Sequence, residues 1–356
     1  MGEICMSLKV SSAYIDRAGR NLTGKTVVIT GATSGIGLAT AKIMASYGAF
    51  VIGVGRSEQR CQLAETEIRE LHADAKIAYV TADLSLLREV RRLSEKIKEI
   101  VHKEGKDCID VLVNNAGTFT SWYISTEEGF EMQFAVNYLA PFLLTHELLP
   151  FLKASPLGRI INLSSGSHYR TKIHWNDIMM RKHYNCLIAY KQTKLANVLF
   201  TAELNRRLSK GSDNYANIYK SNYYKRTNNE SNGNQNNNDG KQSNNARINN
   251  NTSVNSNVMA FAVDPGLVNT QIGFKGTTGI VKWIWKKRSQ KGIEPVEAAF
   301  AIVFLAGDSD VMNSKEIYWK NCLPVKPSKY SQREDVALRL WELTEQMCGI
   351  NRKTEG

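Results

Sequence analysis

The sequence predicts an α/β fold: a doubly wound parallel sheet in a single domain, with helices on both faces. Three observations lead to this prediction. Short β-branched segments alternate with amphipathic helical segments from residue 26 to about residue 210. The strand segments are apolar along their length, which is typical of parallel strands covered on both faces. A glycine-rich turn, TGATSGIG at residues 30–37, joins the first strand to the first helix.

The predicted elements follow one another as repeated strand–helix units. Six strands are predicted from the runs KTVVIT, FVIGV, KIAYVTA, IDVLVNN, RIINLSS and VMAFAVDPG. Helices are predicted over residues 35–47, 57–71, 85–103, 126–151, from the Tyr190 region to about 209, 295–307 and 334–347. Because each helix connects two parallel strands, the sheet is expected to be covered on both faces.

An Asn-rich tract at residues 211–257 interrupts this pattern. It contains few apolar residues and buries too little apolar surface to fold, so we expect a disordered insertion. The predicted domain spans residues 24–349, with an N-terminal extension at 1–23 and a C-terminal tail at 350–356. Two interpretations of the insertion stay open, namely a partner-binding arm and a neutral low-complexity expansion.

Composition narrows the class of protein. The formal net charge of +12 favours phosphate-bearing partners, including a phosphorylated dinucleotide, and no nucleic-acid-binding motif is present. The 6 cysteines are scattered without a CxxC pair, which indicates reduced thiols in the cytoplasm and no metal site. No run is apolar enough to span a bilayer. Trp283, Trp285 and the basic run Lys286–Arg288 are interpreted either as a packed cap or as a peripheral membrane contact.

The glycine-rich turn is typical of a dinucleotide site. Glycines at 31, 35 and 37 permit a tight strand-to-helix turn and a close approach of the backbone to a pyrophosphate. The free N–H groups at the start of the helix then face the phosphates. The residues predicted to contact the cofactor in this turn are Gly31, Thr33, Ser34, Gly35, Ile36 and Gly37.

The end of the second strand predicts NADP(H) in preference to NAD(H). Sites for NAD place a carboxylate there to accept a hydrogen bond from the ribose 2′-hydroxyl, whereas this chain has Gly55 followed by Arg56. Arg56 and Arg60 are predicted to bind a 2′-phosphate. For Arg60, a solvated helix charge is the alternative.

Two further segments end at the same edge of the sheet. Asp83 and Leu84, after the third strand, are predicted to bind the cofactor, Asp83 by accepting from the adenine amino group. Asp83 is also a candidate N-cap for the next helix. Asn115, Ala116 and Gly117, after the fourth strand, allow backbone to approach the cofactor. The preceding Asn114 is predicted to brace neighbouring strands through its amide.

A catalytic group is predicted around Tyr190 and Lys194, which lie one helical turn apart. A free tyrosine has a pKa of about 10. Bringing it to about 7 needs about 4 kcal/mol, to which Lys194 and an oxidised nicotinamide both contribute. Ser165 is predicted to hydrogen bond the substrate oxygen, with Ser164 as the competing residue. Asn137 is predicted to hold a water that connects Lys194 to solvent.

These motifs resemble those of the short-chain dehydrogenase/reductase family. TGATSGIG is similar to the family's TGxxxGxG turn, NNAG to its fourth-strand motif, and Tyr190-x-x-x-Lys194 to its active-site pair. The resemblance implies a Rossmann fold of about seven parallel strands and assigns Ser165 and Asn137 as catalytic. The segment PGLVNT also matches the family's PGxVxT. This match implies cofactor contacts from Pro265, Gly266, Val268 and Thr270.

Within that family, the segments AYKQTKLANVLFTAEL and LRLWELTEQM are similar to retinol-dehydrogenase-like members. This implies NADP(H)-dependent hydride transfer between nicotinamide and a carbonyl or alcohol carbon of an apolar small molecule, retinoid-, steroid- or lipid-like. It also leaves homo-oligomer formation open, through the helices at 126–151 and 186–209. The alternative function is a non-catalytic dinucleotide-binding sensor or scaffold.

Overall fold

The computed structural model describes residues 16–210, 257–268 and 292–350. Most of the Asn-rich tract, together with Thr270 and the Trp283–Arg288 segment, lies outside these residues. The chain divides into two compact units. The first comprises Met1–Asn205 and Asn257–Gly356; the second, Arg206–Ser256, is described only at residues 206–210, where a helix ends.

One sheet occupies the centre of the first unit. In the part of the chain that the structure describes, its 8 strands are β1 (Thr26–Thr30), β2 (Phe50–Gly55), β3 (Ile77–Thr81), β4 (Val111–Asn114), β5 (Gly158–Leu163), β6 (Val258–Asp264), β7 (Tyr318–Lys320) and β8 (Leu323–Pro324). Their order is β3-β2-β1-β4-β5-β6-β7-β8. Strands β1 to β7 are parallel, as predicted, and this confirms the doubly wound fold class.

The antiparallel strand β8 is a difference from the prediction. It pairs with β7 through a tight return at Asn321 and Cys322, which both have left-handed backbone with φ of 51° and 60°. Neither residue is glycine, so the composition of this turn did not indicate a hairpin. Strands β7 and β8 are also short, and their three- and two-residue lengths give no readable alternation.

Helices cover both faces of the sheet. They are α1 (Gly35–Ser46), α2 (Glu58–Leu71), α3 (Leu87–Lys103), α4 (132–154), α5 (Cys186–Ser209), α6 (Pro295–Gly307) and α7 (Glu334–Cys348). Helices α1 and α6 pack together, as do α3 and α4. Because helices lie above and below, strands β1, β2, β4 and β5 are buried at every residue, which explains their unbroken apolar sequences.

Helix α4 departs from the predicted span of 126–151. It begins at Met132, where the Glu131 carboxylate accepts from the N–H of Phe134 at 2.7 Å, and it ends at Ala154. The preceding residues instead form a turn in which Gly129 has a φ of 81°. A π-helical turn, Ala135–Leu139, lies within the helix and holds a residue of the candidate site.

Candidate active site

The candidate site lies at the carboxyl ends of β1 and β4. These strands are neighbours, whereas β2 and β3 extend to the other side of β1, so the strand order reverses between β1 and β4. Open α/β sheets bind ligands in the crevice at such a point. The turn after β1 and the NNAG segment after β4 both line this crevice.

The turn after β1 requires its glycines. Gly31 and Gly35 have φ of 69° and 55°, in the left-handed region. A Cβ on Gly37 would lie 2.3 Å from the Gly31 oxygen and 2.4 Å from Asn115 Nδ2. The turn and helix α1 are therefore packed more closely than any side chain at position 37 allows.

The NNAG segment holds this turn in place. Asn115 Nδ2 donates to the carbonyl oxygens of Thr30 at 2.8 Å and Gly31 at 3.2 Å. The backbone N–H groups of Asn115 and Ala116 both donate to Thr30 Oγ1 at 3.0 Å. Two of the predicted cofactor contacts, Asn115 and Ala116, thus also brace the turn, and Gly117 follows them half-buried.

Asn114 braces the sheet rather than the turn. Its Nδ2 donates to Asn162 Oδ1 at 2.8 Å and to Thr145 Oγ1 at 3.0 Å. Asn162 in turn donates to Thr201 Oγ1 at 3.0 Å. This buried chain of hydrogen bonds connects β4, β5, α4 and α5, so it fixes the elements that hold the catalytic candidates.

The start of helix α1 is suited to an anion. Its N-cap residue, Ser34, is exposed and makes no side-chain cap, and the first turn contains no acidic residue. The N–H groups of the first turn and the positive end of the helix dipole are therefore available to a phosphate. Thr33 and Ile36 flank this position and are half-buried.

The end of β2 leaves no room for an acidic side chain. A Cβ on Gly55 would lie 2.4 Å from Thr33 Cγ2 and 2.7 Å from Cys61 Sγ. The next residue, Arg56, is exposed, and Arg60 is exposed in the first turn of α2. Among the described residues, no ion pair occupies either guanidinium.

The structure contradicts the N-cap alternative for Asp83. Helix α3 begins at Leu87 with Leu86 as its N-cap, and Asp83 Oδ1 instead accepts from the N–H of Ser85 at 2.9 Å. The Glu128 carboxylate instead accepts from the first N–H groups of α3, those of Leu87 at 2.6 Å and Arg88 at 3.1 Å. A remote carboxylate supplies the cap, which sequence spacing could not reveal. Leu84, the other predicted contact, is buried.

Tyr190 and Lys194 share one face of α5. Lys194 Nζ lies 5.5 Å from the centre of the Tyr190 ring and donates to the carbonyl oxygen of Leu163 at 3.1 Å. The edge of Phe119 packs against the Tyr190 ring, with ring centres 5.7 Å apart. No hydrogen bond from the described residues occupies the Tyr190 hydroxyl, which leaves it free for a substrate oxygen.

Burial dominates the electrostatics of this pair. It raises the pKa of Tyr190, and the charge of Asp264 raises it further. Burial lowers the pKa of Lys194 to about 8, against a raising effect of Asp264. The groups of the chain alone therefore favour the protonated phenol. The sequence prediction of a pKa near 7 also includes the charge of an oxidised nicotinamide, so it stays a prediction.

The two serines after β5 have different environments. Ser164 is buried, and its Oγ donates to the Lys194 carbonyl oxygen at 2.8 Å. Ser165 is half-buried, and its Oγ accepts from the N–H of Ser167 at 3.1 Å, so its hydroxyl hydrogen can point elsewhere. The geometry favours Ser165 over Ser164 as a donor to substrate.

Asn137 lies in the π-helical turn of α4. Its Oδ1 accepts from the Thr118 N–H at 2.7 Å, and its Nδ2 donates to the Thr118 oxygen at 3.0 Å and to Thr193 Oγ1 at 3.2 Å. Asn197, which the sequence did not single out, donates to the carbonyl oxygens of Asn137 and Leu163 at 3.0 Å each. Asn137 thus joins the loop after β4 to helix α5, and its water-holding role stays a prediction.

Two further residues near the site were missed from the sequence. His168 is fully buried three residues after Ser165. Asp264 ends β6, and its Oδ1 accepts from the Gly266 N–H at 3.0 Å, while Lys320 Nζ lies 3.6 Å from its Oδ2. The position of Asp264 directly before Pro265 at a strand end was the available signal for a site residue.

The rest of the PGLVNT segment is described only to Val268. Gly266 has a φ of 79°, and Val268 forms a β-bridge with Ile293. Pro265 and Val268 are half-buried. Within residues 16–210, 257–268 and 292–350, no group of three acidic, His or Cys side chains is placed to hold a metal. In the same residues, no helix is both long and apolar enough to cross a membrane.

Comparisons with known proteins agree with this geometry. The family model for short chain dehydrogenase matches residues 25–212. Retinol dehydrogenase 14 of Mus musculus is 32% identical over 345 residues, with 92% of this chain and 86% of that protein covered. Retinol dehydrogenase 13 of Homo sapiens is also 32% identical, over 340 residues, with the same coverage of 92% and 86%. A crystal structure of an uncharacterized protein from Mycobacterium paratuberculosis is similar with a TM-score of 0.58 at 26% identity, covering 92% of this chain and 94% of that one.

Proposed function

The chain belongs to the short chain dehydrogenase family. We therefore propose that it is an NADP(H)-dependent oxidoreductase that acts on the carbonyl or alcohol group of an apolar small molecule. Members of this family bind a nicotinamide dinucleotide and act on small alcohols or carbonyl compounds. The observation that carries the proposal is the pairing of Lys194 with Tyr190 at the end of β5. Lys194 binds the Leu163 carbonyl oxygen two residues before Ser165, at the same edge of the sheet as the glycine turn after β1.

The glycine turn fits a dinucleotide. Without Cβ atoms at Gly31 and Gly37, the turn packs directly on backbone: a Cβ would lie 2.9 Å from Ala116 Cα at Gly31 and 2.3 Å from the Gly31 oxygen at Gly37. This is the tight strand-to-helix turn that dinucleotide sites use. The first turn of α1 offers N–H groups without a competing side chain. These features support binding of a pyrophosphate at this end of the helix.

The preference for NADP(H) is supported by the end of β2. Position 55 cannot hold the carboxylate that NAD sites use, because Thr33 and Cys61 fill the space of its Cβ. Arg56 and Arg60 then face solvent at the position where a 2′-phosphate is expected. A guanidinium can bind a phosphate through two parallel hydrogen bonds.

The proposed mechanism assigns proton handling to the chain. The nicotinamide supplies the hydride in reduction and accepts it in oxidation. Tyr190 donates its phenolic proton to the substrate oxygen in reduction, which suits a phenol whose pKa burial has raised. Lys194 is held by the Leu163 carbonyl and, with a pKa of about 8, is mostly an ammonium at neutral pH, so it stabilises the phenolate that forms. Ser165 donates to the same substrate oxygen.

An apolar substrate is supported by two observations. The relatives at 32% identity are called retinol dehydrogenases, and retinol is a largely apolar alcohol. The fully buried ring of Phe119 packs against the Tyr190 ring, so the surroundings of that ring are apolar on this side. The proposal also includes a cytoplasmic location, with peripheral membrane contact and homo-oligomer formation as possible additions.

The experiment follows NADPH absorbance against a panel of apolar aldehydes and ketones, with NADH as the comparison cofactor. Tyr190→Phe is run beside the wild type. Tyr47→Phe is the matched control. Tyr47 lies at the C-terminal end of α1, and among the described residues its hydroxyl bonds Asp16. We expect Tyr190→Phe to lose activity by about 10²- to 10⁴-fold and Tyr47→Phe to retain it.

The other outcomes are equally informative. NADPH binding without turnover of any carbonyl compound would favour the non-catalytic sensor. Equal activity of Tyr190→Phe and Tyr47→Phe would remove Tyr190 from the mechanism. Failure to bind either cofactor would refute the proposed function as a whole.

A further inference from the structure

Both ring nitrogens of the buried residue His168 are hydrogen bonded. Nδ1 lies 2.8 Å from the Ser165 carbonyl oxygen, and Nε2 lies 3.1 Å from the backbone nitrogen of Ser328. A backbone N–H can only donate, so Nε2 must be the unprotonated acceptor. Nδ1 therefore bears the hydrogen and donates to Ser165, which defines one neutral tautomer of His168.

The segment that donates to His168 is a strap, defined here as residues 325–332. It is attached at its start, where the Val325 N–H donates to the Tyr318 oxygen at 2.8 Å and the Tyr169 hydroxyl donates to the Lys326 oxygen at 2.6 Å. Its short 3₁₀ turn is capped by Ser328 Oγ, which accepts from the Ser331 N–H at 3.2 Å.

The His168 ring is also clamped by two aromatic rings. Its centre lies 4.1 Å from the ring centre of Tyr169 and 4.6 Å from that of Tyr318. Its backbone N–H donates to the same Ser165 oxygen at 3.0 Å. The Ser165 carbonyl is thus bound twice by His168, and the plane of the peptide that follows Ser165 is fixed by a ring that the strap holds.

The orientation of that peptide matters for the Ser165 hydroxyl. Oγ accepts from the Ser167 N–H, which belongs to the same 3₁₀ turn, Gly166–His168. If the turn rotates, the acceptor geometry at Oγ changes and so does the direction of the hydroxyl hydrogen. The hydrogen bonds therefore form one path from the strap through His168 to Ser165.

We propose that His168 is a positioning residue for Ser165, and that the strap is part of the active site because its Ser328 N–H fixes the histidine ring. The inference rests on the proposed function, since it requires Ser165 to donate to the substrate oxygen. It assigns a catalytic effect to a segment whose Ser328 lies 160 residues from His168 in sequence.

Ser328→Pro tests the connection at one hydrogen bond. The φ of Ser328 is −59°, which proline adopts, so this change keeps the local backbone dihedral and removes the N–H. The proline Cδ takes the place of the hydrogen that points at Nε2, so it also displaces the His168 ring. The change also removes the side-chain cap. Ser328→Ala is the matched control, because it loses the same cap but keeps the N–H. His168→Phe keeps an aromatic ring between the two tyrosines but loses both hydrogen bonds, and His168→Asn restores a donor close to the Nδ1 position.

We expect kcat for carbonyl reduction to stay within about twofold of wild type in Ser328→Ala. In Ser328→Pro it should fall at least about tenfold, because the orienting hydrogen bond is lost and the His168 ring is displaced. His168→Phe should fall to the level of Ser165→Ala, and His168→Asn should recover part of that loss. NADPH affinity should stay unchanged in all of them, because the glycine turn is not touched. Ring ¹⁵N shifts should show the Nδ1–H tautomer in wild type and a displaced Nε2 resonance in Ser328→Pro.

The outcomes separate this inference from the proposed function. Equal kcat in Ser328→Pro and Ser328→Ala, or full activity of His168→Phe, would overturn the inference while a loss in Ser165→Ala keeps the function. Full activity of Ser165→Ala would refute the role of Ser165 itself. A parallel loss of NADPH affinity and thermal stability in His168→Phe, without rescue by His168→Asn, would show a structural role only and would also overturn the inference.

Discussion

Arg56 and Arg60 give the sharpest test of cofactor choice. Both are exposed at the end of β2 and the start of α2, beside a position that has no room for a carboxylate. A hydrogen bond to a charged group contributes about 1.5–3 kcal/mol, and exposure to solvent places each arginine near the lower end. Replacing either by alanine should therefore weaken NADPH binding about tenfold, and replacing both about 100-fold. NADH has no 2′-phosphate, so its affinity should hardly change.

Fluorescence titration of NADPH and NADH against wild type, both single variants and the double variant measures this difference. Arg92→Ala is the control for net charge, because Arg92 is a helix-surface arginine on α3 that pairs with Glu89. The NADPH effect should shrink as salt is added, since the contacts are exposed. Equal weakening of NADPH and NADH, or an effect of Arg92→Ala as large as that of Arg56→Ala, would refute 2′-phosphate recognition by these residues.

Three further changes test the site and the fold. Asp264→Asn removes a charge that raises the pKa of Tyr190, so the pH profile of kcat should move to lower pH in either direction of reaction; an unchanged or raised profile would contradict this. Gly37→Ala places a Cβ 2.3 Å from the Gly31 oxygen, so isothermal titration should detect no cofactor binding, whereas wild-type affinity would show that the turn can yield. Arg159→Met removes two buried hydrogen bonds of 2.8 Å to carbonyl oxygens at the end of α6, so urea unfolding should show a loss of about 3 kcal/mol; a loss below about 1 kcal/mol would mean that packing by methionine compensates.

The sequence was sufficient to predict which candidate site residues lie at one edge of the sheet when those residues directly follow a strand. The glycine turn, NNAG and the serines each come directly after a buried run, and the carboxyl ends of neighbouring parallel strands meet at one edge of a sheet. Strand order did not need to be known in detail for these groups to come together. The pairing of Tyr190 with Lys194 was equally accessible, because a spacing of four on a helix places both on one face.

The sequence was insufficient where a side chain acts on a distant backbone group. Glu128 lies in a run that resembles the start of a helix, yet it caps α3 from 41 residues away. His168 depends on Ser328, and Asn197 on Asn137 and Leu163. Such partners lie on irregular segments, or on helix positions whose apolar spacing is that of ordinary core residues. No sequence pattern therefore predicts that the two partners are in contact.

The capping by Glu128 has a consequence for how a dinucleotide can lie in the crevice. Helices α1, α2 and α3 all begin at the same edge of the sheet, and each start is a potential anion site. In α2, Ser57 accepts from the first turn and Glu58 adds a negative charge; in α3, Glu128 occupies the N–H groups and Glu89 adds another. Of these three helix starts, only that of α1 is left without a carboxylate. Under the proposed function, the start of α1 is therefore the place for the pyrophosphate, whereas the start of α3 opposes it with negative charge. The start of α2 offers an anion its arginine side chains, Arg56 and Arg60, in place of its N–H groups.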